Sequence, residues 1–217
     1  SSAVLAGVLT LALALPGTAV AQSGARSAPA ATAAARAVSF AETPGEARGT
    51  LVLPLGSAAD LAGRGSGLDE ATRLGVERAI ASAAFSYRAR QTLTLRGIGS
   101  WDRILLVGLG DRSDAGETQW AGAVAGRSLL GEHGPATVLA GGLPAGQVAA
   151  FATGMGIGHY RSDLYSSART GAAPAAPLAV VSDHVAAART AFEERGAGLV
   201  EAMTWTRDIS NEPANVV

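Results

Sequence analysis

The side chains best suited to chemistry in this chain lie close together in the stretch "YRSDLY", residues 160 to 165. It contains Tyr160, Arg161, Asp163 and Tyr165, which supply two phenolic hydroxyls, a guanidinium and a carboxylate. Such a cluster could bind a polar substrate. Aromatic and Arg side chains at the end of a helix serve packing and ion pairing more often than binding. The residues alone leave both interpretations open.

A second polar cluster follows in "TRDISNEPANVV", residues 206 to 217. Arg207 and Asp208 are predicted in the last turn of a helix, which Pro213 ends because proline cannot continue a helix. The side-chain amides of Asn211 and Asn215 can satisfy backbone groups of a turn. We interpret this cluster as a structural joint, and direct binding of a substrate is the alternative.

A glycine pair in "VGLGDRSDAGE", residues 107 to 117, follows a predicted strand and precedes a predicted helix. Backbone N–H groups in such a loop can bind phosphate. The third glycine of a dinucleotide-binding fingerprint is absent, because Ser113 stands in its place. A tight turn is the commoner use of a lone Gly-x-Gly pair.

Other reactive arrangements are missing from the sequence. The three histidines, His133, His159 and His184, have no partner at metal-ligand spacing, there is no Cys, and no Gly-x-Ser-x-Gly motif occurs. We predict no catalytic residue and no metal ligand in this chain. The net charge of -1 gives no basic surface for nucleic acid, so neither nucleic acid nor a stable membrane association is expected.

The elements that must position these clusters alternate between strands and helices. Strands are predicted at 49–55, 90–97, 102–110, 136–142 and 177–183, and helices at 67–85, 117–132, 144–160 and 184–209. Asp69 is expected to cap the first helix, and Val76, Ile80, Ala83 and Ala84 to share one face of it. This alternation predicts an α/β fold with a mixed, mostly parallel sheet flanked by helices.

The N-terminal residues follow a different pattern. Residues 1–21 contain an apolar run followed by Pro16-Gly17 and the small-x-small site Ala19-Val20-Ala21. This is the pattern of a secretory signal and is too short to span a bilayer comfortably, so export to the periplasm is predicted. A buried Ala-rich helix is the alternative. Residues 22–37 are predicted to be a flexible linker, and the folded domain is predicted to begin at Val38.

The second cluster resembles the joint between the N-terminal and catalytic domains of the leucyl (cytosol) aminopeptidase family. Six residues match in order and spacing: Arg207, Asp208, Asn211, Pro213, Ala214 and Asn215. The segment "TLTLRGIGSWDRILLVGLG", residues 92 to 110, is also similar to the family. "YRSDLYS" resembles its Tyr-Arg-Phe-Asp-x-Tyr-Lys signature, with Ser162 and Ser166 as departures.

The resemblance implies a metallo-aminopeptidase that removes N-terminal residues, often leucine, from peptides and assembles as a hexamer. It implies two divalent ions, manganese, zinc or magnesium, bound by Asp, Glu and Lys of a catalytic domain. Residues 38–206 would be the macro-domain-like N-terminal α/β domain, and residues 207–217 the start of the catalytic domain.

This chain has no Lys, so the fragment is expected to be inactive and to bind no metal, with the gene continuing beyond Val217. Family members are usually cytoplasmic, in contrast to the predicted export. A free-standing domain that binds ADP-ribose or a nucleotide, or a purely structural domain, is the alternative.

Overall fold

The computed structural model describes residues 36–111, 114–160 and 176–211. Its strands are β1 (Val38–Ala41), β2 (Thr50–Leu55), β3 (Thr92–Leu95), β4 (Arg103–Gly108), β5 (Ala136–Leu139) and β6 (Leu178–Val181). Its α-helices are α1 (Ala58–Arg64), α2 (Glu70–Ser82), α3 (Ala115–Ser128), α4 (Ala145–Gly158), α5 (Val185–Ala191) and α6 (Ala197–Ser210).

The six strands form one sheet in the order β1-β6-β5-β2-β4-β3. All neighbouring pairs are parallel except β3 with β4, which is antiparallel at the edge. The predicted α/β class with a mixed, mostly parallel sheet is therefore confirmed. Strands β2 and β4 are buried along their whole length, whereas β3 alternates between exposed and half-buried residues. The full burial of β2 and β4 follows from their unbroken apolar runs, and the alternating exposure of β3 follows from its alternation of Thr and Leu.

The core lies on both faces of the sheet. On one face, α3 and α4 cover Val52, Leu105 and Val138. On the other face, α1 and α2 cover Leu51, Leu53 and related strand residues. No helix in the described ranges is long and apolar enough to cross a bilayer.

The first long helix is shorter than predicted. Asp69 caps α2 as expected, because its carboxylate accepts the N–H of Thr72 at 2.8 Å. Val76 and Ile80 are buried, but Ala83 and Ala84 are exposed and lie beyond the helix, which ends at Ser82. Ala84 adopts a φ of 48°, and this left-handed conformation cannot continue a helix.

Three further elements differ from the sequence-based assignment. Strand β1 and helix α1 fall in stretches for which no element was predicted. The single helix predicted at 184–209 is observed as α5, a π-helical turn at Phe192–Gly196, and α6. Gly196 packs against α4, where an added Cβ would overlap the hydroxyl of Thr153. This close approach explains why a glycine lies at the irregular turn.

The N-terminal boundary of the folded domain lies before Val38. Arg36, inside the predicted linker, is buried, and its guanidinium donates to the carbonyls of Glu132, Gly134 and Ala176. The carbonyl of Ala37 accepts the N–H of Leu178. Residues 36 and 37 therefore belong to the domain. The predicted signal, residues 1–21, lies outside the described residues.

Candidate functional site

The C-terminal end of α6 is fastened to the end of α4 by Arg207. Its Nη1 donates to the carbonyl oxygen of Ile157 at 2.7 Å. Its guanidinium carbon lies 5.4 Å from the centroid of the Tyr160 ring, which is a cation–π distance. Arg207 thus satisfies one of the carbonyls left free in the last turn of α4.

The hydroxyl of Tyr160 connects the two polar clusters. It donates to Oδ1 of Asp208 at 2.8 Å and accepts from Nδ2 of Asn211 at 3.2 Å. The same Nδ2 donates to the carbonyl oxygen of Arg207 at 2.7 Å, at the end of α6. Tyr160, Arg207, Asp208 and Asn211 therefore form one network, which we call the Tyr160 network.

The structure thus unites one member of the first predicted cluster with three members of the second. Arg161, Asp163 and Tyr165 of the first cluster lie outside the described residues, as do Pro213 and Asn215 of the second. The predicted boundary between residues 206 and 207 lies inside α6, which runs on to Ser210. Arg207 donates to a carbonyl of α4, and Asp208 accepts from the hydroxyl of Tyr160.

The glycine pair at the end of β4, Gly108 and Gly110, has its N–H groups engaged by the protein. Gly108 donates to Gln91, Leu109 to Leu55 and Gly110 to Tyr87, all at carbonyl oxygens and within 2.9 Å. An added Cβ at Gly108 would overlap the carbonyl oxygen of Arg88. Because the glycines carry no side chain, the loop at residues 87–91 can pack directly against the end of β4. The three N–H groups are already hydrogen-bonded within the protein and are not available to a phosphate.

The crevice between the carboxyl ends of β2 and β5 is the position where open α/β sheets usually bind ligands. Here Asp60 accepts the N–H groups of Gly56 and Ser57 at 2.7 and 2.9 Å. Arg64, whose side chain is 6% exposed, pairs with Asp60 and donates to the carbonyls of Pro54 and Gly141. Burial lowers the pKa of the Arg64 guanidinium, and Asp60 offsets part of that effect.

Sequence reasoning missed α1 and both of these residues. A signal was present, because Ser57 followed three residues later by Asp60 has the spacing of a capping box, and in the structure the Ser57 N–H donates to the Asp60 carboxylate. The Asp60–Arg64 ion pair lies at this crevice, and both side chains are hydrogen-bonded to the protein's own backbone. This geometry weakens the alternative of a nucleotide-binding domain.

The described residues offer no constellation for the two implied metal ions. No group of three or more His, Asp or Glu side chains that could hold a metal occurs among them. The three histidines are dispersed: His133 is exposed, His184 precedes α5, and Nε2 of His159 accepts a hydrogen bond from Nε of Arg36. These residues do not fit a two-metal centre, so no catalytic step can be assigned to them.

The fold and the Tyr160 network define an α/β domain whose polar side chains fasten its own elements together. The model of the N-terminal domain of the cytosol aminopeptidase family matches residues 52–169, more than half of the chain. The chain therefore belongs to the cytosol aminopeptidase family, and the predicted resemblance is confirmed.

Relatives and solved structures agree with this assignment. A probable cytosol aminopeptidase of Methylobacterium radiotolerans is 35% identical over 76% of this chain and 33% of its own length. One of Dinoroseobacter shibae is 36% identical over 69% of this chain and 30% of its own length. The chain thus spans about a third of these relatives.

The structural likenesses concern the fold alone. A tomato leucine aminopeptidase mutant has a TM-score of 0.57 at 18% identity, covering 84% of this chain and 39% of its own. The bottromycin maturation enzyme BotP has a TM-score of 0.53 at 24% identity, covering 79% of this chain and 34% of its own. A second BotP structure is a complex with Mn, with a TM-score of 0.50 at 23% identity over 78% and 32% of the two chains.

Proposed function

We propose that this chain is the non-catalytic N-terminal portion of a metal-dependent leucyl aminopeptidase, which releases N-terminal residues, often leucine, from peptides. The Tyr160 network carries the proposal. It combines residues from two motifs that the family resemblance selected independently, and each of its contacts holds a helix end. Its role is to fix the direction in which the polypeptide leaves α6.

The chemistry of the enzyme is assigned to the portion that the relatives possess beyond the matched third. Two divalent ions, manganese, zinc or magnesium, would be held there and would activate water and polarise the scissile carbonyl. The manganese complex of a structural neighbour supports a metal-dependent reaction. The N-terminal domain would contribute to assembly of a homo-oligomer, a hexamer by resemblance, and to access of peptides to the active site.

A free-standing nucleotide-binding domain is the less suitable assignment. The N–H groups of the glycine pair are engaged by carbonyls, and the Asp60 carboxylate at the carboxyl end of β2 is already bound by backbone N–H groups and by Arg64. Titration with ADP-ribose is expected to give no saturable heat. Saturable binding would favour that alternative.

The proposed function is tested by hydrolysis of leucine p-nitroanilide. The chain alone, supplied with manganese or zinc, is expected to give no turnover, whereas a polypeptide containing the chain and the catalytic portion should give turnover that a chelator abolishes. Chelator-sensitive turnover by the chain alone would place the active site here and contradict the proposal.

The joint role is distinguished from substrate binding by a double substitution. Asn211→Ala with Pro213→Ala in the active enzyme is expected to lower thermal stability or assembly while the KM of the assembled enzyme changes little. A large rise in KM at unchanged stability would indicate direct substrate contact.

Export is a separate part of the proposal, since the relatives are named cytosol aminopeptidases. The small-x-small site at Ala19-Val20-Ala21 supports cleavage between Ala21 and Gln22 when the chain is expressed with an initiating Met. Mass spectrometry of periplasmic protein would detect the new N-terminus, and an intact N-terminus in the cytoplasm would contradict export.

A further inference from the structure

Arg36 is a buried cation that is bound by three backbone carbonyls and one imidazole. Its Nη1 donates to the carbonyls of Gly134 and Ala176, both at 2.7 Å, and its Nη2 donates to the carbonyl of Glu132. Its Nε donates to Nε2 of His159 at 3.3 Å. The carbonyls stay acceptors at every pH at which proteins are folded, whereas the half-buried imidazole can take up a proton.

The direction of this hydrogen bond determines the state of the His159 ring. A guanidinium has only donors, so Nε2 of His159 must present a lone pair to Arg36. A protonated ring carries N–H groups on both nitrogens and would turn one of them toward the guanidinium. Protonation therefore replaces a hydrogen bond with repulsion between two cations.

Burial strengthens this repulsion. Arg36 is 7% exposed, burial lowers the pKa of its guanidinium, and Glu132 offsets part of that effect. The Glu132 carboxylate is shared with two further cations, because its Oε1 lies 3.4 Å from Nη1 of Arg103 and 3.5 Å from Nη2 of Arg96. It therefore has little capacity to compensate a second positive charge beside Arg36.

The other side chains around His159 limit what else can titrate. The small cavity beside Arg36 and His159 is otherwise lined by apolar side chains and glycine. The charged or titratable side chains on the surrounding described elements are, besides Arg36, Arg127 of α3, Glu132 and His133 after α3, Tyr160 after α4, and Arg207 and Asp208 of α6. Ordinary carboxylates titrate near pH 4 and imidazoles near pH 6.5. Histidine is therefore the side chain expected to titrate between about pH 7.5 and about pH 5.5.

We propose that the Arg36–His159 contact is a pH-sensitive clasp, which holds the start of the domain while His159 is neutral and releases it on acidification. Its contribution is present while the ring is neutral and is lost as pH falls and the ring takes up a proton. The release is local, because Phe40 further along β1 is buried and its carbonyl accepts from Arg189.

The clasp and the Tyr160 network meet at consecutive residues at the end of α4 but respond differently to acid. His159 belongs to the clasp, whereas the four members of the Tyr160 network include no histidine. Mild acid should therefore free the polypeptide that enters β1 while the end of α6 stays held.

The experiment is hydrogen exchange of the full chain followed by NMR, at about pH 7.5 and about pH 5.5, with rates corrected for the intrinsic effect of pH. The N–H of Leu178 donates to the carbonyl of Ala37, beside Arg36, and reports on the clasp. The N–H of Ser182 donates to the carbonyl of Ala41, at the other end of the β1–β6 pair, and is the internal control. Protection of Leu178 is expected to fall about tenfold at the lower pH, and that of Ser182 to stay unchanged.

Three variants assign the effect to the clasp. His159→Gln offers a neutral amide oxygen to Arg36 and should keep Leu178 protected at both pH values. His133→Gln removes the neighbouring exposed histidine as a matched control and should retain the wild-type fall. Arg36→Met removes the cation and should give low protection of Leu178 at both pH values, so the proposal stays testable if His159→Gln does not fold.

Four results would overturn the proposal: equal protection of Leu178 at both pH values in the wild type, a fall that persists in His159→Gln, a fall abolished by His133→Gln, or a parallel fall at Ser182. The inference does not depend on the aminopeptidase role. Hydrogen exchange of the chain does not measure peptide hydrolysis, so either proposal can fail while the other stands.

Discussion

Helices α4 and α6 have the same length, 14 residues, and opposite surroundings. Eight residues of α4 are buried, among them Val148, Phe151 and Met155, because the helix lies against the sheet and against α3. No residue of α6 is buried. The difference indicates that α4 contributes more to the stability of the domain than α6, whose end is held by the Tyr160 network.

The contact between α3 and α4 depends on glycine. An added Cβ at Gly122 would overlap the carbonyl oxygen of Phe151, and one at Gly154 would overlap that of Gln119. The two backbones therefore touch directly. Each glycine weakens its helix by about 1 kcal/mol relative to alanine, and the close approach explains why glycine is nevertheless present.

The largest expected contrast is between the two aromatic side chains Phe151 and Trp205. Phe151→Ala removes a fully buried ring from α4 and should cost about 4 kcal/mol. Trp205→Ala removes an exposed ring from α6 and should change the free energy of unfolding by about 0.5 kcal/mol or less. Urea unfolding of dilute protein measures both changes. Equal losses in the free energy of unfolding would contradict the conclusion that α4 stabilises the domain more than α6.

The next contrast lies within α4. Gly154→Ala forces a methyl group into the α3 backbone and should destabilise the domain by about 3 kcal/mol. Gly146→Ala makes the same change where nothing lies within 4 Å, and should be neutral or stabilising by up to about 1 kcal/mol. Thermal unfolding that ranked the two variants in the opposite order would refute the direct backbone contact.

A smaller effect tests whether the Tyr160 hydroxyl holds the C-terminal end of α6 in place. Tyr160→Phe removes the hydroxyl that joins Asp208 to Asn211 and should cost about 1 kcal/mol. Hydrogen exchange should rise in the last turn of α6 while α4 stays protected. Unchanged exchange in α6 would mean that the hydroxyl does not fix the helix end.

The smallest expected effect concerns the N-terminal end of α2, away from α4 and α6. Hydrogen bonds from the side chain and the backbone N–H of Thr72 lower the pKa of Asp69 below its usual value. A lowered pKa contributes stability above the unfolded-state pKa, about 3.9, which is lost as pH falls through the folded-state pKa. Asp69→Asn should cap α2 without this acid dependence, and identical profiles of melting temperature against pH would exclude the contribution.

Five of the six strands could be predicted from the sequence because they carry their own signals, whereas β1 could not. The apolar run of β4 predicts a strand buried on both faces, and the Thr/Leu alternation of β3 predicts a half-exposed strand. The Asp69 cap is likewise a local feature. The family motif identified Arg207 and Asn211, although not their contacts.

The features that could not be predicted depend on tertiary contacts, which produce no periodic pattern in the sequence. Arg36 lies in a stretch of small residues typical of a linker, yet it binds carbonyls from two distant segments. Helix α1 has only seven residues, too few for a clear period. The partnership of Tyr160 with Asp208 spans 48 positions along the chain and becomes visible only when α4 and α6 are adjacent.

The glycine contact between α3 and α4 has a mechanical consequence. With Gly122 and Gly126 pressed against Phe151 and Met155, and Gly154 and Gly158 against the α3 backbone, neither helix can slide or roll past the other without collision. We therefore expect a force applied to Tyr160, just beyond the end of α4, to be transmitted to α3 rather than absorbed by side-chain rearrangement. The two helices should move as one rigid unit, with the Tyr160 network attached at its end.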